Sequence, residues 1–236
     1  MTQAGIRLDP RVLPDVETAS KAAAMFIAAA ARQALERQER FLLALSGGRT
    51  PGRMFNHLAT EHLPWSRVHV LQADERVAPA DTPERSLTNL KVNLLMQGEH
   101  PRPVLHPMPV ELADLEAGAR AYARTLEQVG GLPPVLDLVQ LGLGADGHTA
   151  SLVPGDPATL VGDRDVAVAG PYKGCSRMTL TFPLINRART VVWLVTGEEK
   201  AGMLARLIAG DSTVPAGRIQ RERAVVFADG AAAARL

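Results

Sequence analysis

Apolar positions along this chain switch repeatedly between a helical period and a strand-like one. Behind Asp15, a residue type suited to capping a helix, Val16, Ala19, Ala23, Phe26, Ile27, Ala30 and Ala34 recur at helical spacing. The run from Phe41 to Leu45 (FLLAL) is continuously apolar and ends in glycines, which predicts a short strand. RTPGRMFNHLA then reopens a helix, with Thr50 at the cap and Pro51 in the first helical position, where a missing N–H costs nothing. VHVLQADER predicts a second strand, RSLTNLKVNLLM a helical stretch, PVLHPMPV a short strand, and Leu112 to Val129 a helix. VLDLVQLGLG is the strongest strand signal, an apolar run of the kind that a sheet covered on both faces requires. DVAVAG, RMTLTF and TVVWLVTG are three further β-rich runs; EEKAGMLARLIAG predicts a helix and RAVVFAD a closing strand.

Strands alternating with helices of these lengths predict an α/β fold: a doubly wound, mostly parallel sheet with helices on both faces. The compact run from Asp165 to Phe182 is more hairpin-like and predicts a small β-rich subdomain, roughly within residues 160–185. No repeat and no low-complexity linker interrupts the chain, so residues 1–236 are expected to form one domain. Aromatic residues are only 4% of a composition that is 46% apolar, which leaves Ala, Val and Leu to build the core. A formal net charge of +1 argues against a broad nucleic-acid surface and makes any anion recognition local. The single cysteine, Cys175, excludes an internal disulfide and fits a reducing compartment. MTQAGIRLDP lacks the apolar core of a signal peptide, and AAAMFIAAAA is too short and alanine-rich to span a bilayer. A cytoplasmic protein with no membrane partner is expected.

Three loops carry candidate chemistry. In LVQLGLGADGHTASLVPG, Gly142, Gly144 and Gly147 have the spacing of a dinucleotide-binding loop, yet Asp146 and His148 sit within and just after it. A dinucleotide site needs a long helix next, and Pro154 and Pro157 leave room for roughly two turns. LALSGGRTPG lacks both the P-loop spacing and the frame of a nucleophile elbow around Ser46. It offers a strand end, two glycines and the free amides of a helix start: a seat for one phosphate group, or an ordinary turn. In QADERVAP, Asp74, Glu75 and Arg76 follow a buried-type strand, either as a solvated loop or as part of a ligand site at the sheet's carboxyl edge. His57 and His62 are five apart, off the spacing for two ligands on one helical face, and His69, His100 and His106 are scattered. No metal and no cofactor is expected.

LSGGRTP, ADERVAP, LGLGADGHTASLVPG, RMTLTFPLINRA and VTGEEKA, in this order and spacing, resemble the 6-phosphogluconolactonases. That family shares a superfamily with glucosamine-6-phosphate deaminases, and the similarity runs from about Ala44 to Phe227. The resemblance implies hydrolysis of a small phosphorylated sugar lactone, with His148 taking a proton from water and Asp146 holding the imidazole. It also implies that Arg76 stabilises charge or positions substrate and that Asp74 is the acid shared with the deaminases. Ser46, Gly47, Gly48 and Thr50 match the phosphate loop, and Lys200 and Arg177 match phosphate-holding cations. A monomer or weak homo-oligomer is expected, with no nucleic acid as partner. One departure stands out: many relatives read RNL where this chain has Arg85-Ser86-Leu87. Against a deaminase reading, those enzymes carry a glutamate five residues past the histidine, where this chain has Val153. A non-catalytic sugar-phosphate sensor is the other alternative, although such a protein would be expected to lose the Asp–His pair.

Overall fold

The continuous apolar runs end up in the middle of a sheet, where both faces are covered. The computed structural model describes residues 8–97 and 102–236. Its main sheet is parallel throughout and runs in the order β1 (Arg11–Leu13), β10 (Ala224–Asp229), β9 (Val191–Val195), β6 (Leu138–Leu141), β2 (Phe41–Leu45), β3 (Val68–Gln72), β5 (Val104–His106). Every residue of β2, β6 and β9 is buried. Within β2 the pleat divides the core: Leu43 and Leu45 pack with Ile27, Phe55 and Trp65 on one face. Leu42 and Ala44 pack with Tyr122, Val139 and Trp193 on the other.

Helix α1 (Val16–Leu35) starts at Asp15, whose carboxylate accepts the Thr18 N–H at 2.7 Å. It packs beside α2 (Arg49–Ala59) on the Leu43 face. The helix over α3 (Ser86–Leu90) continues as a wider π turn through Lys91–Leu95. On the opposite face lies α4 (Leu115–Gly130), which begins three residues later than its apolar pattern implied because Asp114 caps it through the Ala117 N–H.

The second sheet is antiparallel and three-stranded, in the order β4 (Asp74–Arg76), β8 (Cys175–Leu180), β7 (Val166–Tyr172). The DER run is therefore a strand, not a solvated loop. Ala73 is the crossing point: its N–H donates to Leu45 O at 2.9 Å in the main sheet, and its carbonyl accepts from Leu180 N at 2.9 Å in the small one. Three more differences have local causes. α2 is capped by Gly48, at φ 126°, which moves Thr50 and Pro51 two residues inward from their expected places. The strand expected across RMTLTF ends at Leu180, and Thr181 opens α5 (Phe182–Arg187), with Pro183 in its first turn. Edge strand β1 exists only as the partner of β10, a contact its three residues do not announce. His100 lies outside the described residues. The predicted C-terminal helix is present as α6 (Ala201–Ala209), entered through a 3-10 turn at Glu198–Lys200. Among the described residues no helix is long and apolar enough to cross a membrane.

Candidate active site

β2, β3 and β6 all deliver their carboxyl ends to one edge of the sheet, and three loops meet there. At the end of β2 the Ser46 hydroxyl donates to the Gln140 carbonyl at 3.2 Å, and the Ser46 N–H reaches Gln140 Oε1 at 3.3 Å. The serine therefore fastens the loop to β6. Gly47 lies against Ser86 so tightly that a Cβ there would sit within 3.0 Å of Ser86 Oγ, Cβ and Cα. The Thr50 hydroxyl is shared with Thr196 at 2.9 Å. Gly48 brings no side-chain cap, so the first amides of α2 remain available for an anion.

The loop after β6 holds the opposing chemistry. Asp146 Oδ1 lies 2.5 Å from His148 Nδ1 and also accepts the His148 N–H at 3.2 Å. Its other oxygen accepts the Tyr172 hydroxyl at 2.9 Å. Burial raises the Asp146 carboxyl, but the His148 N–H, the facing imidazole and the phenol outweigh it and leave the group below its usual range. Two glycines of the dinucleotide-like spacing now have an explanation. A Cβ on Gly144 would fall within 3.0 Å of both His148 Nδ1 and Asp146 Oδ1, so the pair is folded onto bare backbone. Gly147 takes φ 85° and abuts Val214. Gly142 is under no such constraint, since a Cβ there meets nothing within 4 Å.

The small sheet supplies the third wall. Asp74 is buried and accepts from the Ser151 hydroxyl at 2.6 Å, with Arg177 Nη1 3.9 Å away. Burial pushes the Asp74 carboxyl up against the pull of Ser151 and Arg177. Arg177 crosses the Tyr172 ring at 5.1 Å, and burial lowers its proton affinity. Register places Arg76 beside it on β4. Behind this wall Glu75, fully buried, collects four donors, Gln72 Nε2 and the N–H groups of Arg76, Ser86 and Leu87, and forms an ion pair with Arg85, whose Nε lies 3.2 Å away. It fixes the Ser86 turn against Gly47.

These walls enclose a cavity of about 520 Å³, within the usual range for a small-molecule site. All the residues expected from the sequence line it except Asp146, which stands behind His148: Ser46, Gly47, Gly48 and Thr50; Asp74 and Arg76; and His148, Arg177 and Lys200. Among the described residues, Arg49, Arg76 and Lys200 line the cavity with no carboxylate partner. The arrangement is an imidazole with one nitrogen held and the other free, facing unpaired cations and helix amides. No cluster of three or more His, Cys, Asp or Glu side chains suited to a metal occurs among the described residues. Sequence reasoning missed Tyr172, Ser151 and Glu75. Tyr172 is one of only two tyrosines and sits at the hairpin turn before Arg177, but nothing local ties it to Asp146.

This fold and cavity define a family. The profile described as glucosamine-6-phosphate isomerases/6-phosphogluconolactonase matches residues 14–227, and the chain belongs to that family. Its relatives include a 6-phosphogluconolactonase of Synechocystis sp., 43% identical over 72% of each chain. Another, from Mycobacterium tuberculosis, is 33% identical over 95% of this chain and 97% of its own. Among solved structures, the 6-phosphogluconolactonase of Trypanosoma brucei superposes with a TM-score of 0.86 at 27% identity, covering 98% of this chain and all of the other.

Proposed function

We propose that this chain hydrolyses 6-phospho-D-glucono-1,5-lactone to 6-phospho-D-gluconate, a step of the oxidative pentose phosphate route. The observation that carries the reading is the Asp146–His148 pair, closed at 2.5 Å through Nδ1, on the wall of a cavity lined by unpaired cations. With Nδ1–H given to the carboxylate, the lone pair on Nε2 takes the proton of an attacking water. The water oxygen bonds to C1 as the carbonyl π electrons move onto its oxygen. Collapse of that tetrahedral oxyanion breaks the C1–O5 bond, and the imidazolium returns its proton to O5. Asp146 balances the imidazolium charge while it lasts. Arg76, on the small sheet and lining the same cavity, steadies the oxyanion.

The phosphate dianion is held at the other end. The amides opening α2 and the unpaired Lys200 ammonium supply the seat, with Ser46, Gly47, Gly48 and Thr50 shaping it. Arg177 adds positive charge from the small sheet, but part of that charge is already answered by Asp74. Lys200 therefore carries the larger share of phosphate affinity. A deaminase needs an ionisable group where Val153 lies, and Val153 is buried and apolar. The test follows lactone loss above its spontaneous rate for wild type and His148→Ala. The variant should lose about 10²–10⁴-fold in kcat while phosphosugar binding persists. Equal turnover by both proteins, or ammonia release from glucosamine 6-phosphate by wild type, refutes the reading.

A further inference from the structure

Asp146 is one-third exposed, and a carboxylate at such a site turns freely unless both its oxygens are held. Oδ1 is occupied by its own loop, through the N–H and Nδ1 of His148. Among the described residues Oδ2 has a partner from a different sheet, the hydroxyl of Tyr172 at the end of β7. The phenol is itself fixed. Its ring meets the His148 ring edge-on at 5.3 Å, and the Arg177 guanidinium and Lys173 ammonium lie over it at 5.1 and 5.3 Å. Burial and the bond to Asp146 hold the phenol above its usual range, so it stays a donor throughout the histidine range.

We infer that Tyr172 is a positioning residue for hydrolysis: by donating to Asp146 Oδ2 from the small sheet, it locks the carboxylate in the rotamer that keeps His148 Nδ1 engaged and Nε2 aimed into the cavity. The inference rests on His148 as the base. A hydroxyl that merely fastened the β7 hairpin would affect stability and leave the chemistry alone. A positioning hydroxyl affects the imidazole instead, because a carboxylate free to turn stabilises the imidazolium less.

Tyr172→Phe separates these roles, since it deletes the hydroxyl and keeps the ring, its cation contacts and its packing. The other charges lining the cavity with His148 are Asp74, Arg76 and Arg177 on the small sheet, Arg49 opening α2, Glu84 and Arg85 before α3, and Glu199 and Lys200 before α6, with Lys173 over the Tyr172 ring. None of them is altered by the substitution, so a change in the pH profile belongs to the Asp146–His148 pair. Lactone hydrolysis is measured on both sides of the histidine range for wild type, Tyr172→Phe, Asp146→Asn and the double variant. Tyr172→Phe should lower kcat about tenfold with KM within about twofold, and move the acid limb of the kcat profile to lower pH. In the Asp146→Asn background, Tyr172→Phe should cost nothing further. An unchanged kcat with a lowered melting temperature overturns the inference, as does an acid limb displaced to higher pH or a full additional loss in the double variant. His148→Ala keeps the two claims apart. Equal turnover by His148→Ala and wild type removes the base itself, whereas a dead His148→Ala beside an unaffected Tyr172→Phe removes only the role of Tyr172.

Discussion

Gly144→Ala is the sharpest test of how the Asp146–His148 pair is built. The added methyl would occupy space within 3.0 Å of His148 Nδ1 and Cε1 and of Asp146 Oδ1, a separation that real Cβ atoms essentially never show. The backbone cannot easily yield, because Gly144 N donates to His148 O at 2.8 Å and Gly144 O accepts from Gly147 N at 3.0 Å. The side chains must move instead, by a distance on the order of 1 Å. A displacement of that size in a reacting group costs about 10²-fold in rate, or about 2.7 kcal/mol of barrier. The proposed phosphate seat lies on other loops, so KM should stay within about threefold. Overpacking costs about 1–3 kcal/mol, and a chain of this size should lose roughly 2–12 °C in melting temperature. The assay is steady-state lactone hydrolysis corrected for the spontaneous rate, with Gly142→Ala as the comparison. A Cβ at Gly142 meets nothing within 4 Å and leaves the pair in place, although Gly142 lines the cavity, so any loss there falls on KM. If Gly144→Ala keeps kcat within about threefold of wild type, or Gly142→Ala loses as much kcat as Gly144→Ala, the reasoning fails.

Lys200→Ala should raise KM roughly 10- to 150-fold with little change in kcat, the loss expected when a charged hydrogen-bond donor of about 1.5–3 kcal/mol is removed from the phosphate. A fall confined to kcat would place Lys200 at the lactone end instead. Glu75→Ala strips the acceptor from four donors and leaves the buried Arg85 charge with Glu111 as its remaining carboxylate partner. It should cost about 3–5 kcal/mol in urea denaturation, and an unchanged midpoint would show that the turn holds without it. His69 Nδ1 and His106 Nε2 lie 3.0 Å apart on β3 and β5. Burial lowers both below the usual 6.5, helped by Arg40 for His69 and by His69 for His106. The folded state thus favours neutral rings: their contribution is complete above 6.5 and declines as pH falls below it toward the folded values. Denaturation midpoints across that interval should drop for wild type and drop less for His106→Gln; identical slopes would remove the pair from the account.

What the sequence revealed and what it hid divide along contact range. FLLAL is strand from Phe41 to Leu45 because both its faces need cover, and apolar content alone states that. Asp15 announces α1 because capping is local. Asp74–Arg76 hid its strand, since three charges in a row look solvated until Thr179, Met178 and Arg177 appear opposite them. Thr50 outranked Gly48 as a cap on residue type, yet the loop's left-handed turn made the glycine the cap. The cavity was legible through residues that sit next to glycines at strand ends. Tyr172 and Ser151 were not, because each acquires its meaning from a partner 26 or 77 residues away. Glu75 was visible as a charge but not as an anchor, a role set by the fold around it.

The unanswered cations around the cavity bear on how the protein behaves when empty. Arg76 stands beside Arg177, whose hold on its proton is weakened first by burial and further by that neighbouring charge. A small dianion relieves that repulsion whatever molecule carries it. Inorganic phosphate or sulfate in a buffer would therefore occupy the vestibule, raise the melting point by mass action and compete with substrate. Affinities measured in phosphate buffer would report a contest between two anions, while a zwitterionic buffer would report the lactone alone.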